Sequence, residues 1–420
     1  MEFIASLHLE NKLLPTRNPE ISWCYVFLPA VLGYFAVLTH YLNAKPPIGS
    51  IEVLHAASFA KLVYPKHGME VIATGAQWAE GPLWLEDENA GVSFLAYSDT
   101  RLNVIHRWDQ GKGFFTVGKS VMVPRSGCRN RSTTHCDGLV EPGSNGLLRM
   151  NPALMPLAHE KSVDLLVCQH GERAIALLRE NGTRTAIATH YNGKRFNSPN
   201  DLIWSPEGHL YFTDPTYGLA TKVPRYVDVD GNGNTSTSAS LATDQEQEVS
   251  GLYMVRKDDI HDAVETGEVT TRVYLLNGEL SMPNGLGFSP DFSKLYVSNG
   301  DPADPVYYVF DVSPITGLLS NRRVFYDASA LLAADGPGAG LPDGLKVDIQ
   351  GNVFAAGPGG VLVLSPEGQL LGRFKFDRPA TNVAFGGDGR LYVTLSDTVA
   401  RIWIKTKPVR IISSHFKRKK

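Results

Sequence analysis

The chain has 420 residues, 43% of them hydrophobic and 20% charged, with a formal net charge of −3. That composition supports a large buried core, and it offers neither a basic excess for nucleic acid nor an acidic block typical of a disordered tail. Four cysteines are too few for a disulfide scaffold.

In chain order, residues 1–20 read as a polar N-terminal tail. Ile21 to Leu42 then runs without a single Asp, Glu, Lys or Arg, about the length needed to cross a bilayer. Its Pro29 is tolerated in membrane helices. The segment reads first as an uncleaved transmembrane or signal-anchor helix, with a cleaved signal or a buried segment as alternatives. The first reading leaves a membrane-anchored protein with the rest of the chain luminal or extracellular; a cleaved signal makes it secreted. Lys12 and Arg17 on one side are balanced by Lys45 and Lys61 on the other, so orientation stays open. Three glycosylation sequons begin at Asn130, Asn181 and Asn234, all in turn-like sequence. Residues 43–64 read as a linker.

From about residue 65 the pattern is short strands and turns, and Ala328 to Ala334 offers at most a short helix. A unit recurs: a small residue or Pro, then Asn, Asp or Glu, a few apolar residues, a turn, and a strand centred on an aromatic. Copies open at Glu80-Gly81-Pro82, Ser144-Asn145-Gly146, Pro199-Asn200-Asp201, Pro283-Asn284-Gly285, Pro342-Asp343-Gly344 and Thr381-Asn382-Val383. The turns between strands carry Ser205-Pro206-Glu207-Gly208, Gln350-Gly351-Asn352 and Gly387-Asp388-Gly389. Six such units predict an all-β chain, a six-bladed β-propeller over residues 65–405. The strand near Met69 to Ala73 has no unit of its own and is expected to join the last blade and close the ring. Residues 226–250 read as a flexible insertion in the third blade. Its Asp228 to Gly233 resembles the start of an EF-hand loop, but position 12 is Ala239 rather than Glu. Arg125 to Cys136 is a second insertion, in which Cys128 and Cys136 could close a small loop in an oxidising compartment. Cys168 reads as a buried thiol, and residues 406–420 as a basic C-terminal tail.

In a propeller the innermost strands line a central channel, so the residues that open them converge on one axial point. Here these are Glu80, Asn145, Asn200, Asn284, Asp343 and Asn382. Two carboxylates and four carboxamides are hard oxygen donors, suited to one divalent ion, Ca²⁺ first, with Mg²⁺, Mn²⁺ or Zn²⁺ as alternatives. A purely structural repeat would tolerate small or apolar residues there.

These motifs resemble the regucalcin/gluconolactonase family of propeller lactonases, over roughly residues 70–405. The likeness rests on Glu80-Gly81-Pro82-x-Trp84, Pro142 to Leu147, Cys168 to Arg173, Asn197 to Asp201 with Tyr211 to Pro215, Pro283 to Leu286, Pro342 to Leu345, and Asn382 to Gly387. It looks closest to the secreted gluconolactonase-like branch. The resemblance implies metal ligands at Glu80, Asn284 and Asp343, with Asn200 as a further ligand or substrate contact. Regucalcin-type members carry an Arg two residues before the Asn matching Asn200; here that residue is Ser198. The resemblance also implies that Asp343 acts as the base in lactone hydrolysis while touching the metal; a metal-activated water is the alternative. Asn145, Asn200, Asn382 and His170 are the expected substrate contacts, and Asp201 and Asp214 read as structural. The expected partners are a small-molecule lactone and the membrane through the N-terminal helix, with no nucleic acid and no protein partner. The rival readings are a paraoxonase-like or strictosidine-synthase-like membrane-anchored propeller and a non-catalytic Ca²⁺-binding propeller. No Gly-x-Ser-x-Gly elbow or dinucleotide-binding loop appears.

Overall fold

A computed structural model describes residues 48–409, apart from 65, 88–90, 111–119, 129–135, 137–138, 152–153, 155–162, 221–227, 230–234, 237–244 and 337. Ile21 to Leu42 therefore lies outside the described residues, as do Asn130, Asn234 and most of the EF-hand-like stretch. No helix among the described residues is long and apolar enough to cross a membrane.

Six antiparallel sheets follow one another as blades. Their first strands are Ala79–Asp87, Ser144–Arg149, Leu202–Trp204, Pro283–Phe288, Leu345–Val347 and Ala380–Phe385. These strands neighbour one another around the ring. Closure occurs as the sequence suggests: Glu70–Thr74 adds to Thr398–Trp403 as the outer strand of blade 6. Joining the two ends of the propeller in one sheet leaves no ladder open between first and last blade.

The core is divided among the six blade interfaces. One cluster joins each neighbouring pair, such as Leu85, Phe94 and Ala96 of blade 1 against Leu165 and Val167 of blade 2. On the same strand Leu166 and Cys168 point the other way, into Phe212 and Tyr253 of blade 3. Val353–Gly357 repeats this, with Val353 and Ala355 facing blade 4 and Phe354 and Ala356 facing blade 6. Both faces of these strands are buried, which is why they read as continuous apolar runs rather than alternating ones. Cys168 is a free, fully buried thiol.

Residues 43–64 are more than a linker. Gly49–Val53 pairs with Leu370–Phe376 as a fifth strand of blade 5, and Ala56–Leu62 is a helix. Phe59 and Leu62 pack into the core between blades 5 and 6, each apolar side chain contributing about 1.5–3 kcal/mol on burial. Arg373 holds this addition in place, donating from Nε to Glu52 Oε2 at 2.6 Å and from Nη1 to Asp335. The C-terminal tail also begins ordered: Thr406 Oγ1 donates to Asp348 Oδ2 at 2.8 Å, and the Val409 amide donates to the Val347 carbonyl at 3.1 Å.

In blade 3, Lys257–Thr266 forms a helix between the last two strands, ended by Gly267 at φ 75°. Residues 245–250, the end of the expected insertion, are anchored. Gln247 is buried and donates from Nε2 to the carbonyls of Tyr191 and Lys194 at 3.1 and 2.7 Å.

Candidate active site

The residues that open the first strands are aimed by irregular strand pairing. The ladder to the second strand loses register between Glu80 and Leu83, Ser144 and Leu147, Pro283 and Leu286, and Ala380 and Asn382. A bulge at that point turns one side chain out of the pleat. In the other two blades, the Asn200 amide donates to Thr213 O at 2.8 Å and the Asp343 amide to Ala356 O at 2.9 Å, ahead of the regular strands.

Each blade-to-blade junction is tied by a hydrogen bond at this level. Ser98 Oγ donates to Asn145 O at 2.7 Å, Thr213 Oγ1 to Asn284 O at 2.8 Å, and Ser298 Oγ to Asp343 O at 2.7 Å. The Gly146 amide donates to Asn200 O at 2.7 Å and the Gly344 amide to Thr381 O at 2.8 Å. Thr381 Oγ1 closes the circle on Ala79 O at 2.7 Å. The approach is close enough to require glycine. A Cβ on Gly285 would lie 2.6 Å from Asp343 O, Gly344 Cα and Leu345 N, and one on Gly81 would lie 2.2 Å from Asn145 O.

Glu80, Asn145, Asn200 and Asn284 are all buried, and Asp343 is partly open. Burial raises Glu80 well above the usual carboxylate range, as do the charges of Asp343, Asp201 and Glu141, against the Gly81 amide, which donates to Oε2 at 3.1 Å. Asp343 is raised likewise, by burial and by Asp201 and Glu141, against hydrogen bonds from the Gly344 amide and Asn284. Neither carboxylate makes an ion pair among the described residues. Buried Oδ1 atoms of Asp343 and Asn145 have no hydrogen-bond partner. No group of three His, Cys, Asp or Glu side chains among the described residues is gathered to hold a metal ion. The axial donors are two carboxylates completed by carboxamides.

Asn382 is oriented differently. Its Oδ1 accepts from the Val383 amide at 2.8 Å, and it lines a cavity of about 380 Å³ together with Asp201, Lys346, Trp84, Trp204 and Phe292. That cavity is mainly apolar, and its lining does not include Glu80, Asn284 or Asp343. Asp201 faces it, accepting from the Leu202 amide at 2.8 Å and lying 3.5 Å from Lys346 Nζ, yet its charge is felt at both Glu80 and Asp343. Asp214 accepts from the Asn197 amide at 2.7 Å and so supports the turn that leads to Asn200. His170 is fully buried behind Glu141, with Nδ1 3.7 Å from Oε2, and burial lowers it to about 4, which keeps it neutral.

Three residues that the sequence did not single out belong to the same mouth. Glu141 is raised to about 7, chiefly by burial, with Arg101 opposing. Arg101 Nε lies 3.6 Å from Glu141 Oε1, and its guanidinium stacks 4.4 Å from the centroid of Trp78, two residues before Glu80. Tyr217 donates to Gly300 O at 3.1 Å and stands beside the Asn284 side chain. Glu141 immediately precedes the Pro142 to Leu147 motif, and Tyr217 follows Asp214-Pro215, so proximity to the motifs was the available signal. Arg101 carries no such signal. Cys128 and Cys136 pair as a disulfide beside this mouth, Cα atoms 6.3 Å apart, packed on Gly171 next to His170.

Fold and site together define a six-bladed propeller with a cluster of oxygen donors at one mouth of its channel. The chain matches the SMP-30/gluconolactonase/LRE-like region over residues 78–397, and it belongs to that family. It is 34% identical over 342 residues to a gluconolactonase of Zymomonas mobilis, covering 80% of this chain and 82% of that one. A lactonohydrolase of Aspergillus oryzae is 28% identical over 244 residues, 53% of this chain and 47% of the fungal one. Among solved structures, a gluconolactonase of Xanthomonas campestris superposes with a TM-score of 0.62 at 26% identity, covering 86% of this chain and 98% of that one. The calcium-binding regucalcin of Agrobacterium tumefaciens shares the fold, with a TM-score of 0.53 at 17% identity over 81% of this chain and 95% of that one.

Proposed function

We propose that this lactonase opens a sugar lactone to its hydroxy acid at the mouth formed by Glu80, Asn284 and Asp343. Relatives named gluconolactonase and lactonohydrolase support lactone hydrolysis. The observation that carries the site is a pair of desolvated carboxylates, Glu80 and Asp343, the charge of Asp343 raising Glu80, with no ion pair to a cationic side chain among the described residues. Such a pair, with unpartnered Oδ1 atoms on Asp343 and Asn145, fits a divalent cation and above all Ca²⁺. Glu80, Asn284 and Asp343 would hold it, with Asn200 as a further ligand or a substrate contact. When bound, the cation supplies positive charge that stabilises the developing oxyanion of the lactone carbonyl.

The chain's own residues do the rest. Asp343, open enough to meet water, takes the proton of the attacking water at a carboxylate oxygen. Asn145 and Asn200 present carboxamides to the substrate, with Asn382 and His170 as further contacts; both ring nitrogens of the buried His170 have no hydrogen-bond partner. Acid release from a panel of aldonolactones, followed by pH-stat with the full chain, tests this reading. We expect saturable turnover of at least one member; none across the panel would leave a non-catalytic cation-binding propeller.

We also read Ile21 to Leu42 as a signal-anchor that places the propeller in an oxidising lumen or outside the cell. The charge-free run and the Cys128–Cys136 pair support this. Asn181 is exposed in a tight turn, where its Oδ1 accepts from the Thr183 amide at 2.9 Å, so a glycan could be added there. Carbonate-resistant membrane retention and a glycosidase-sensitive mobility shift that is smaller in Asn181→Gln are expected. A soluble, unglycosylated cytosolic chain would contradict the topology.

A further inference from the structure

We infer that Arg101, held on Trp78 and paired with Glu141, forms the subsite that reads the hydroxyl-bearing tail of the lactone. This inference rests on the lactonase reading above. Four observations lead to it. The guanidinium lies over the Trp78 ring at 4.4 Å, which fixes its plane, and its side chain is still 38% exposed. Its one carboxylate neighbour, Glu141, meets Nε at 3.6 Å, leaving the Nη donors without a hydrogen bond to any described residue. Glu141 lies within the field of Glu80 and Asp343, so this corner borders the reacting centre. Ser198, two residues before Asn200, is fully buried and already committed: its hydroxyl donates to Pro215 O and accepts from the Gly218 amide at 2.9 Å. Polar recognition therefore has to come from another wall of the mouth.

The chemistry of the corner selects among ligands. A guanidinium fork offers parallel donors, and a neighbouring carboxylate offers acceptors. Together they complement vicinal hydroxyls, each of which donates and accepts. An anionic tail fits less well, because it offers acceptors alone and leaves the Glu141 side of the corner without a donor to meet. The substrate class is therefore a neutral polyhydroxylated lactone, with Arg101 binding its ring substituents or exocyclic chain equally in ground and transition states. Arg101 is then a specificity residue, and its loss acts on KM more than on kcat.

The test compares two lactones of one ring size, glucono-δ-lactone and δ-valerolactone, which lacks hydroxyls, on the full chain. For Arg101→Ala we expect KM for the sugar lactone to rise about 10- to 100-fold, as for a lost charged hydrogen-bonding group. Its kcat should stay within about threefold, and kcat/KM for δ-valerolactone should also change less than about threefold. Arg101→Lys, which keeps the charge and loses the fork, should fall between and serves as the readout if the alanine variant does not fold. Equal losses on both lactones, or no loss on either, would overturn the inference while wild-type turnover upholds the lactonase reading. A wild type inactive on both lactones and across the aldonolactone panel would remove that reading and the inference with it.

Discussion

Asp343→Ala should lower kcat/KM for a sugar lactone by about 10³-fold, the loss expected when a general base is removed. Glu80→Gln, which keeps the shape and removes one buried charge, should lower it by about 10²-fold. Opposite behaviour is expected in stability. Burial raises both carboxylates above their unfolded values, and the charge of Asp343 raises Glu80 further. A raised folded pKa favours the folded state fully below the unfolded value of about 4, and that advantage is lost as pH climbs through the folded pKa. In chelator at pH 8, Glu80→Gln should therefore melt higher than wild type, and at pH 4 the two should nearly coincide. Thermal denaturation at the two pH values reads this directly. A variant that is less stable at pH 8 and fully active would show that the pair has a structural role alone.

Gly285→Ala should damage both fold and activity although it touches no functional group. Its Cβ would lie 2.6 Å from three backbone atoms of the neighbouring blade, Asp343 O, Gly344 Cα and Leu345 N. Because these are backbone atoms, no side-chain rotation relieves the clash, and blades 4 and 5 must separate at the level of Asp343. Overpacking of this kind costs about 1–3 kcal/mol, occasionally more. The same displacement should cut kcat/KM at least about tenfold, because small misplacements at a reacting centre are expensive. Gly68→Ala, where a Cβ meets nothing within 4 Å, is the matched control and should stay within about 0.5 kcal/mol of wild type. Equal behaviour of the two variants would contradict the close-approach account of the repeat.

The same geometry explains what could be read from the residues alone. A carboxylate or carboxamide followed by Gly opens four of the six first strands, and the repeated spacing to an aromatic strand supplies the other two, so blade number and the axial positions were legible from the repeat. Ring closure was legible because Met69 to Ala73 was a strand without a unit. Gly49–Val53 and Ala56–Leu62 were not, because a lone strand and a two-turn helix become recognisable only once blades 5 and 6 exist to bury Phe59 and Leu62. Asn382 was grouped with the other axial residues by position, but its carboxamide turns onto its own neighbour, Val383. Asp201 looked remote by strand alternation, yet charge acts through the low-dielectric channel wall and reaches Glu80 and Asp343. Arg101 sits in a hairpin turn within blade 1 and Glu141 in the connection to blade 2, and they meet only in the folded ring.

The account stands most directly on where a cation binds. Calorimetric titration of Ca²⁺ into the chelator-stripped full chain should give one saturable site. The same titration of Glu80→Gln and Asp343→Asn should show affinity weakened at least about 100-fold, each having lost a charged ligand. Lactone turnover of the wild type should return in proportion to the occupied site. Unaltered Ca²⁺ affinity in both variants, or full turnover by the stripped wild type, would contradict it.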